Sequence, residues 1–192
     1  RSEEAARLAA QRLQLAISAG NLGNWNWSAA GDRLLLGPRA EEMLGILPGS
    51  PVTSAGLEEA VHKDDRARVR LTLAQAIALR SDFRLDCRVH RPSGEVRWIA
   101  VRGRGAYTAT GELREMGGVI QDITERKLSD ADLLHSRTRL TMAMEAGQMG
   151  DWEWHVATQR VRWSPTLEAI HGLPPGGFGG CFEDFQSDIH PE

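Results

Sequence analysis

Two cysteines, six histidines and a glycine-flanked arginine are the side chains in this 192-residue sequence that invite a chemical reading first. Cys87 and Cys181 lie far apart and form no C-x-x-C pair, so neither a disulfide framework nor a zinc site is expected, only two buried thiols. His62 opens the element His62-Lys63-Asp64 just ahead of a helical pattern, where a capping or hydrogen-bonding role is expected rather than metal ligation. His90 ends an alternating strand on its polar side and is expected to face solvent. Gly103-Arg104-Gly105 lacks the later glycine of a phosphate loop and precedes no helix, so a bulge or sheet bend is expected there. No Ser-His-Asp or paired-carboxylate set stands out. None of these patterns marks a catalytic set.

Composition agrees with a soluble globular protein: 41% of residues are hydrophobic and 26% charged. The net charge of -3 and a pI near 6.1 give no basic footprint for nucleic acid. The longest apolar runs, such as Trp98-Ile99-Ala100-Val101, fall far short of the ~20 residues needed to cross a bilayer. The charged opening Arg1-Ser2-Glu3-Glu4 lacks the apolar core of a signal peptide. A cytoplasmic location without membrane contact in this segment is therefore expected.

The elements that must position any site emerge when the chain is laid on itself. Residues 12–49 match 139–176 without a gap at an offset of 127. Ala19-Gly20-Asn21-Leu22-Gly23-Asn24-Trp25-Asn26-Trp27 falls on Ala146-Gly147-Gln148-Met149-Gly150-Asp151-Trp152-Glu153-Trp154, and Pro48-Gly49 on Pro175-Gly176. With one added residue, His62-Lys63-Asp64 meets His190-Pro191-Glu192. So long a period suits a whole domain in tandem, with the second copy present only in its first half. Trp152, Trp154, Phe182 and Phe185 would then lack partners.

Within one copy, residues 3–20 carry Leu8, Ala9, Leu13, Ala16 and Ile17 at helical spacing. Trp25 and Trp27, two apart, project from one face of a strand whose partner, Leu34-Leu35-Leu36, follows the Ala30-Gly31-Asp32 turn. Pro38 opens a short helix that Gly45 closes. Asp64 to Arg80 forms a longer helix with Val69, Leu73, Ala76 and Ile77 on one stripe. Phe83, Leu85, Cys87 and Val89 then alternate with Arg84, Asp86, Arg88 and His90, Val96 to Tyr107 runs back, and 113–124 makes a third strand.

This order, ending in Gly117-Gly118-Val119-Ile120-Gln121-Asp122-Ile123-Thr124-Glu125-Arg126-Lys127, resembles the PAS fold with its C-terminal PAC segment. The G-x-W-x-W opening and the H-x-D element are similar to those of PAS domains in bacterial sensor kinases and cyclic-di-GMP enzymes. The resemblance implies an α+β class, with a five-stranded antiparallel sheet and helices on one face enclosing a pocket or core. It implies an N-terminal signalling helix over 1–20, a PAS/PAC domain over 21–124, a linker helix over 125–147 and the first half of a second PAS domain over 148–192.

Function follows from the resemblance as an expectation: a non-catalytic sensory and dimerisation module of a bacterial two-component system, as the input region of a sensor histidine kinase. A diguanylate cyclase or phosphodiesterase is the alternative parent. If a small molecule binds, Trp25, Trp27, Leu57, Leu73, Ile77, Phe83, Leu85, Cys87, Trp98 and Val119 are the expected pocket wall. Asp122, Ile123, Thr124, Glu125, Leu133 and Leu140 are the expected signal relay. Asp122 and Thr124 can bond backbone N–H groups where strand becomes helix, and Leu133 and Leu140, seven apart, could form a homodimer seam with the N-terminal helix.

No cofactor is favoured. Some PAS domains bind haem through a histidine near the long helix, and His62 is the candidate. Light-sensing flavin domains use an N-C-R-F-L-Q segment that does not occur between Glu41 and Arg80. A non-covalent flavin stacked on Trp25 or Trp98 is the remaining flavin arrangement. His135-Ser136-Arg137-Thr138-Arg139-Leu140 faintly echoes a kinase phosphoacceptor box but lacks its acid and proline, so a solvated linker residue is expected.

Overall fold

The structure, a computed structural model, describes residues 19–188 together with Glu4, Arg7, Leu8, Gln11 and Arg12. Those five N-terminal residues are helical and exposed, and the remainder of the helix expected over residues 3–20 lies outside the described residues apart from Ala19 and Gly20. The chain divides into two compact units, residues 1–128 and 129–192.

The first unit is built on one antiparallel sheet. Strands β1 (Gly23–Ser28) and β2 (Arg33–Leu36) form a hairpin, and β3 (Phe83–His90), β4 (Val96–Tyr107) and β5 (Leu113–Asp122) form a meander, giving the order β2-β1-β5-β4-β3. Between the two groups lie helices α1 (Pro38–Leu44), α2 (Ser54–Ala60) and α3 (Lys63–Leu79). Pro38 sits at the first turn of α1, and Gly45 ends it with φ 69°. Thr53 caps α2 by accepting the Gly56 N–H through its hydroxyl, and His62 caps α3 by accepting the Asp64 N–H through Nδ1. His62 therefore does the capping work expected of it.

Alternation decides which sheet face is buried. Phe83, Leu85, Cys87 and Val89 are buried on β3, opposite Gly103, Val101, Ile99 and Arg97 of β4. Ile99, at 1% exposure, is the most enclosed large side chain described. Met116 and Ile120 of β5 and Ala40, Met43 and Leu44 of α1 complete this core. Close packing of α1 depends on Gly23, where a Cβ would lie 2.6 Å from the Ala40 backbone. Arg91 ties the far end of β3 to the same helix, donating from Nε to the Met43 carbonyl and from Nη2 to that of Glu42. The irregularity expected at Gly103-Arg104-Gly105 falls instead between Ala106 and Tyr107, while Gly103 and Gly105 stay in register.

Helix α4 (Thr124–Ala146) begins one residue earlier than expected, and its 23 residues make it about 35 Å long. In the second unit, β6 (Trp152–His155) and β7 (Arg160–Trp163) pair antiparallel, followed by α5 (Pro165–Ile170) and α6 (Phe182–Asp188). The aromatic rings expected to lack partners here stack on one another instead: Trp154 on Phe182 at 5.0 Å and Trp152 near Phe185 at 6.4 Å. Trp152 remains 61% exposed, so these contacts cover little of it. His190 lies outside the described residues. Among the described residues, no helix is long and apolar enough to cross a membrane.

Candidate functional site

Between the concave sheet face and helices α2 and α3 lies a cavity of about 270 Å³. Its wall is almost wholly hydrocarbon: Trp25 and Trp27 from β1, Leu57 from α2, Val69, Leu73 and Ile77 from α3, and Phe83, Leu85, Cys87, Ile99 and Val101 from the meander. The helical residues reach it because 69, 73 and 77 stand four apart on one face of α3. Ser54, Glu58 and Arg70 are its polar residues at the helical side, and Glu58 and Arg70 pair at 3.3 Å with both side chains substantially exposed. The cavity thus has an apolar interior beside an exposed ion pair.

Eight of the ten residues expected to form the wall do line it. Trp98 and Val119 do not, and the correction has a simple cause. In β4 the odd positions face inward, because Ile99 pairs with Cys87, so Trp98 points to the opposite face. Val119 pairs with Arg102 and borders a shallow groove with Arg84, Arg104 and Gly117 on that outer face. Val69, Val101, Ile99, Met116 and Ile120 line the cavity and were not expected there. For Val69 the signal was the helical stripe it shares with Leu73 and Ile77, and for the four strand residues it was the parity evident in β3, extended across the sheet.

The tryptophans differ in their polar atoms. Trp27 Nε1 donates to Asp32 Oδ1 at 2.7 Å, whereas Trp25 Nε1 is buried with no hydrogen-bond partner in the structure. Cys87 is a neutral thiol, its pKa pushed up to about 11 chiefly by burial and then by the negative charge of Asp65. It is no candidate for a thiolate nucleophile.

No histidine lines the cavity, and His62 stacks on His90 at 5.2 Å. To the polar ring edge of a flavin the wall would offer Ser54, Glu58 and Arg70 beside the helices and the buried, unpaired Trp25 Nε1 on the sheet side.

At the sheet's exit the expected relay residues take distinct positions. Asp122 Oδ1 accepts the Thr124 N–H at 2.9 Å and caps α4. The Thr124 hydroxyl turns the other way and accepts the Trp98 N–H at 2.9 Å, while Ile123, buried, donates its N–H to the Trp98 carbonyl. Strand β4 and helix α4 are thereby stitched at one residue. Glu125, Leu133 and Leu140 lie exposed on α4, together with Leu128, Leu134 and Met142.

A second polar cluster had no sequence signal. Asp65, 6% exposed at the start of α3, accepts the Arg88 N–H at 2.9 Å and a two-pronged guanidinium contact at 3.0 Å from Nε and Nη2. The Arg88 guanidinium holds the Asp65 carboxyl far below the usual carboxylate range, outweighing the opposite effect of burial. A carboxyl depressed in the folded state stabilises above its unfolded pKa, about 3.9, and that stabilisation is lost as pH falls toward the folded value. The urea midpoint of the protein should therefore drop as pH falls below about 4, and Asp65→Asn should flatten this acid limb. Parallel limbs in the two proteins would show that Asp65 is not the group responsible.

Comparison with known proteins fits this geometry. The sequence profile of the PAS fold matches residues 33–120. A solved structure of a sensory box histidine kinase/response regulator from Burkholderia thailandensis is 33% identical, with a TM-score of 0.59, covering 68% of this chain and 98% of that one. The chain belongs to the PAS family. Its PAS domain is related to those of bacterial sensory proteins of the histidine-kinase type, and it is a sensory input module. Over 169 residues the chain is 33% identical to the non-motile and phage-resistance protein of Caulobacter vibrioides, covering 86% of this chain and 20% of that protein. A blue-light-activated histidine kinase of Brucella anthropi is 25% identical over 63% of this chain and 24% of its own length. The PAS-containing chain thus spans about a fifth to a quarter of the curated relatives it matches.

Proposed function

We propose that this chain is the input region of a sensor histidine kinase, in which the α2–α3 cavity takes a small apolar molecule and α4 carries the result onward. The observation that carries this reading is the placement of an apolar cavity on the same sheet whose strand β4 is hydrogen-bonded into the first turn of α4. A diguanylate cyclase or phosphodiesterase is the second candidate for the output. The exposed leucines of α4, Leu133 and Leu140 among them, support a homodimer seam along this helix.

The reading extends to 148–192 as the first half of a second PAS domain and to 113–127 as a PAC segment. Local geometry repeats along with sequence. Gly150 meets the Leu167 backbone as closely as Gly23 meets that of Ala40. Gly172 ends α5's turn at φ 76°, as Gly45 does α1's at 69°. The carboxylates of Glu41 and Glu168 accept the N–H groups of Gly49 and Gly176 at 2.9 and 2.8 Å. Trp152 pairs with Trp163 as Trp25 pairs with Leu36.

An absorbance spectrum of the untreated protein, followed by thermal shifts over a panel of small apolar molecules, tests the cavity's role. The expected result is a spectrum without haem or flavin bands and a rise of several degrees in Tm with at least one molecule. A Soret or flavin band at near-stoichiometric level would replace this reading with a cofactor-bound sensor.

A further inference from the structure

Arg88, Trp98 and Lys127 form a contact that the Asp122–Thr124 junction does not use. Arg88 and Trp98 face each other directly across β3 and β4 on the outer side of the sheet. The Arg88 guanidinium carbon lies 5.5 Å from the centre of the Trp98 ring, and Lys127 Nζ lies 5.1 Å from the same centre. Both distances are within cation–π range. Lys127 also pairs with Asp86 of β3 at 3.1 Å, which fixes the first turn of α4 against that strand. The same Arg88 guanidinium is clamped by Asp65, with Asp64 3.6 Å away, at the start of α3. Arg68, one turn along α3, approaches Asp65 from the solvent side at 3.2 Å. Each of these groups lies within the first unit.

The geometry points to Arg88 and Trp98 as positioning residues of a strut that holds the start of α3 to the first turn of α4 across the outer face of the sheet. Helix α3 supplies Val69, Leu73 and Ile77 to the cavity, so displacement of α3 pulls on Asp65, then Arg88, then the ring that Lys127 covers. The path is a contiguous run of contacts that passes through the Trp98 ring, beside the direct Lys127–Asp86 pair. Its sensory meaning rests on the reading of the cavity given above, whereas the mechanical link itself is testable without any ligand.

Hydrogen exchange by mass spectrometry on the whole chain separates these levels. Asp65→Asn should speed exchange of the amides at 125–131 by roughly fivefold or more, although the Asp65 carboxylate pairs with Arg88 and Arg68, while protection of β5 stays unchanged. Trp98→Phe, which keeps an aromatic ring but weakens its attraction for cations, should speed the same amides. In a Trp98→Phe background, Asp65→Asn should add little further. If Asp65→Asn loosens the sheet as a whole, Arg88→Lys replaces it, keeping the charge while losing the two-pronged contact. The strut is overturned if the effects stop at α3 and β3, or if the Asp65 or Arg88 effect on 125–131 is the same with and without Trp98. Either outcome leaves the cavity reading standing, because that reading fails on ligand binding and not on these variants.

Discussion

Gly118→Val is expected to remove about 3 kcal/mol or more of folding stability, at the upper end of what overpacking costs. A Cβ at position 118 would lie 1.9 Å from the Arg102 carbonyl oxygen and 2.6 Å from the Gly103 Cα. Both are backbone atoms of the neighbouring strand, so no rotamer change relieves the clash and the β4–β5 ladder must open. The position also sits opposite Trp25 in the β1–β5 register and opposite Gly103 in the β4–β5 register. A Cβ on Gly103 would strike the Trp25 ring at 2.6 Å and the Phe83 ring at 2.9 Å. The two glycines thus leave the room in which the Trp25 indole and Phe83 close one end of the cavity. Urea unfolding monitored by circular dichroism measures the loss. A midpoint within error of the wild-type value would show that β4 and β5 do not pack as closely as described.

Much of this fold was legible because its local signals are strong. The hairpin, the Pro38 and Gly45 boundaries, the α3 stripe and the β3 alternation each rest on neighbours a few residues apart. The cavity wall followed from those same periods for eight residues. Trp98 failed because Trp98-Ile99-Ala100-Val101 is apolar on both sides of the strand, so alternation in β4 carries no direction of its own. What covers Trp98 is Arg88 and Lys127, charged residues from elsewhere in the chain. Val119 failed for a related reason: Gly117 and Gly118 have no side chains to reveal which parity faces inward.

The polar network was invisible for a different physical reason. Asp65 and Arg88 are 23 residues apart and look like two ordinary surface charges, and only the closure of α3 over the sheet brings them together. Likewise nothing local distinguishes Lys127 from the other charges of the linker, yet its ammonium lies between Asp86 and an indole face. The junction at Asp122 was legible as a cap, but the Thr124 hydroxyl turned toward β4, since the Trp98 N–H there lacks another partner once the strand ends. Sequence showed that strand meets helix at this point. The structure shows which strand holds the helix.

The second large effect concerns the cavity itself. Val69→Phe adds a ring from α3 into a space of about 270 Å³ walled by hydrocarbon. It should raise Tm by a few degrees, as cavity filling commonly contributes about 0.5–2 kcal/mol, and should abolish the thermal shift given by any apolar molecule that stabilises the wild-type protein. Loss of binding with a gain of stability cannot be mistaken for damage to the fold. A Val69→Phe protein that binds as before would place the ligand elsewhere.

The central claim is that the state of the cavity is felt in α4, and hydrogen exchange of the amides at 125–146 in wild-type and Val69→Phe proteins measures this most directly. The account predicts that filling the cavity changes exchange along the first turns of α4 by about fivefold or more, although residue 69 lies on a different helix and α4 does not line the cavity. Identical exchange throughout α4 in the two proteins, with Tm raised as expected, would contradict it: the cavity would then be a packing defect with no connection to the helix that leaves the domain.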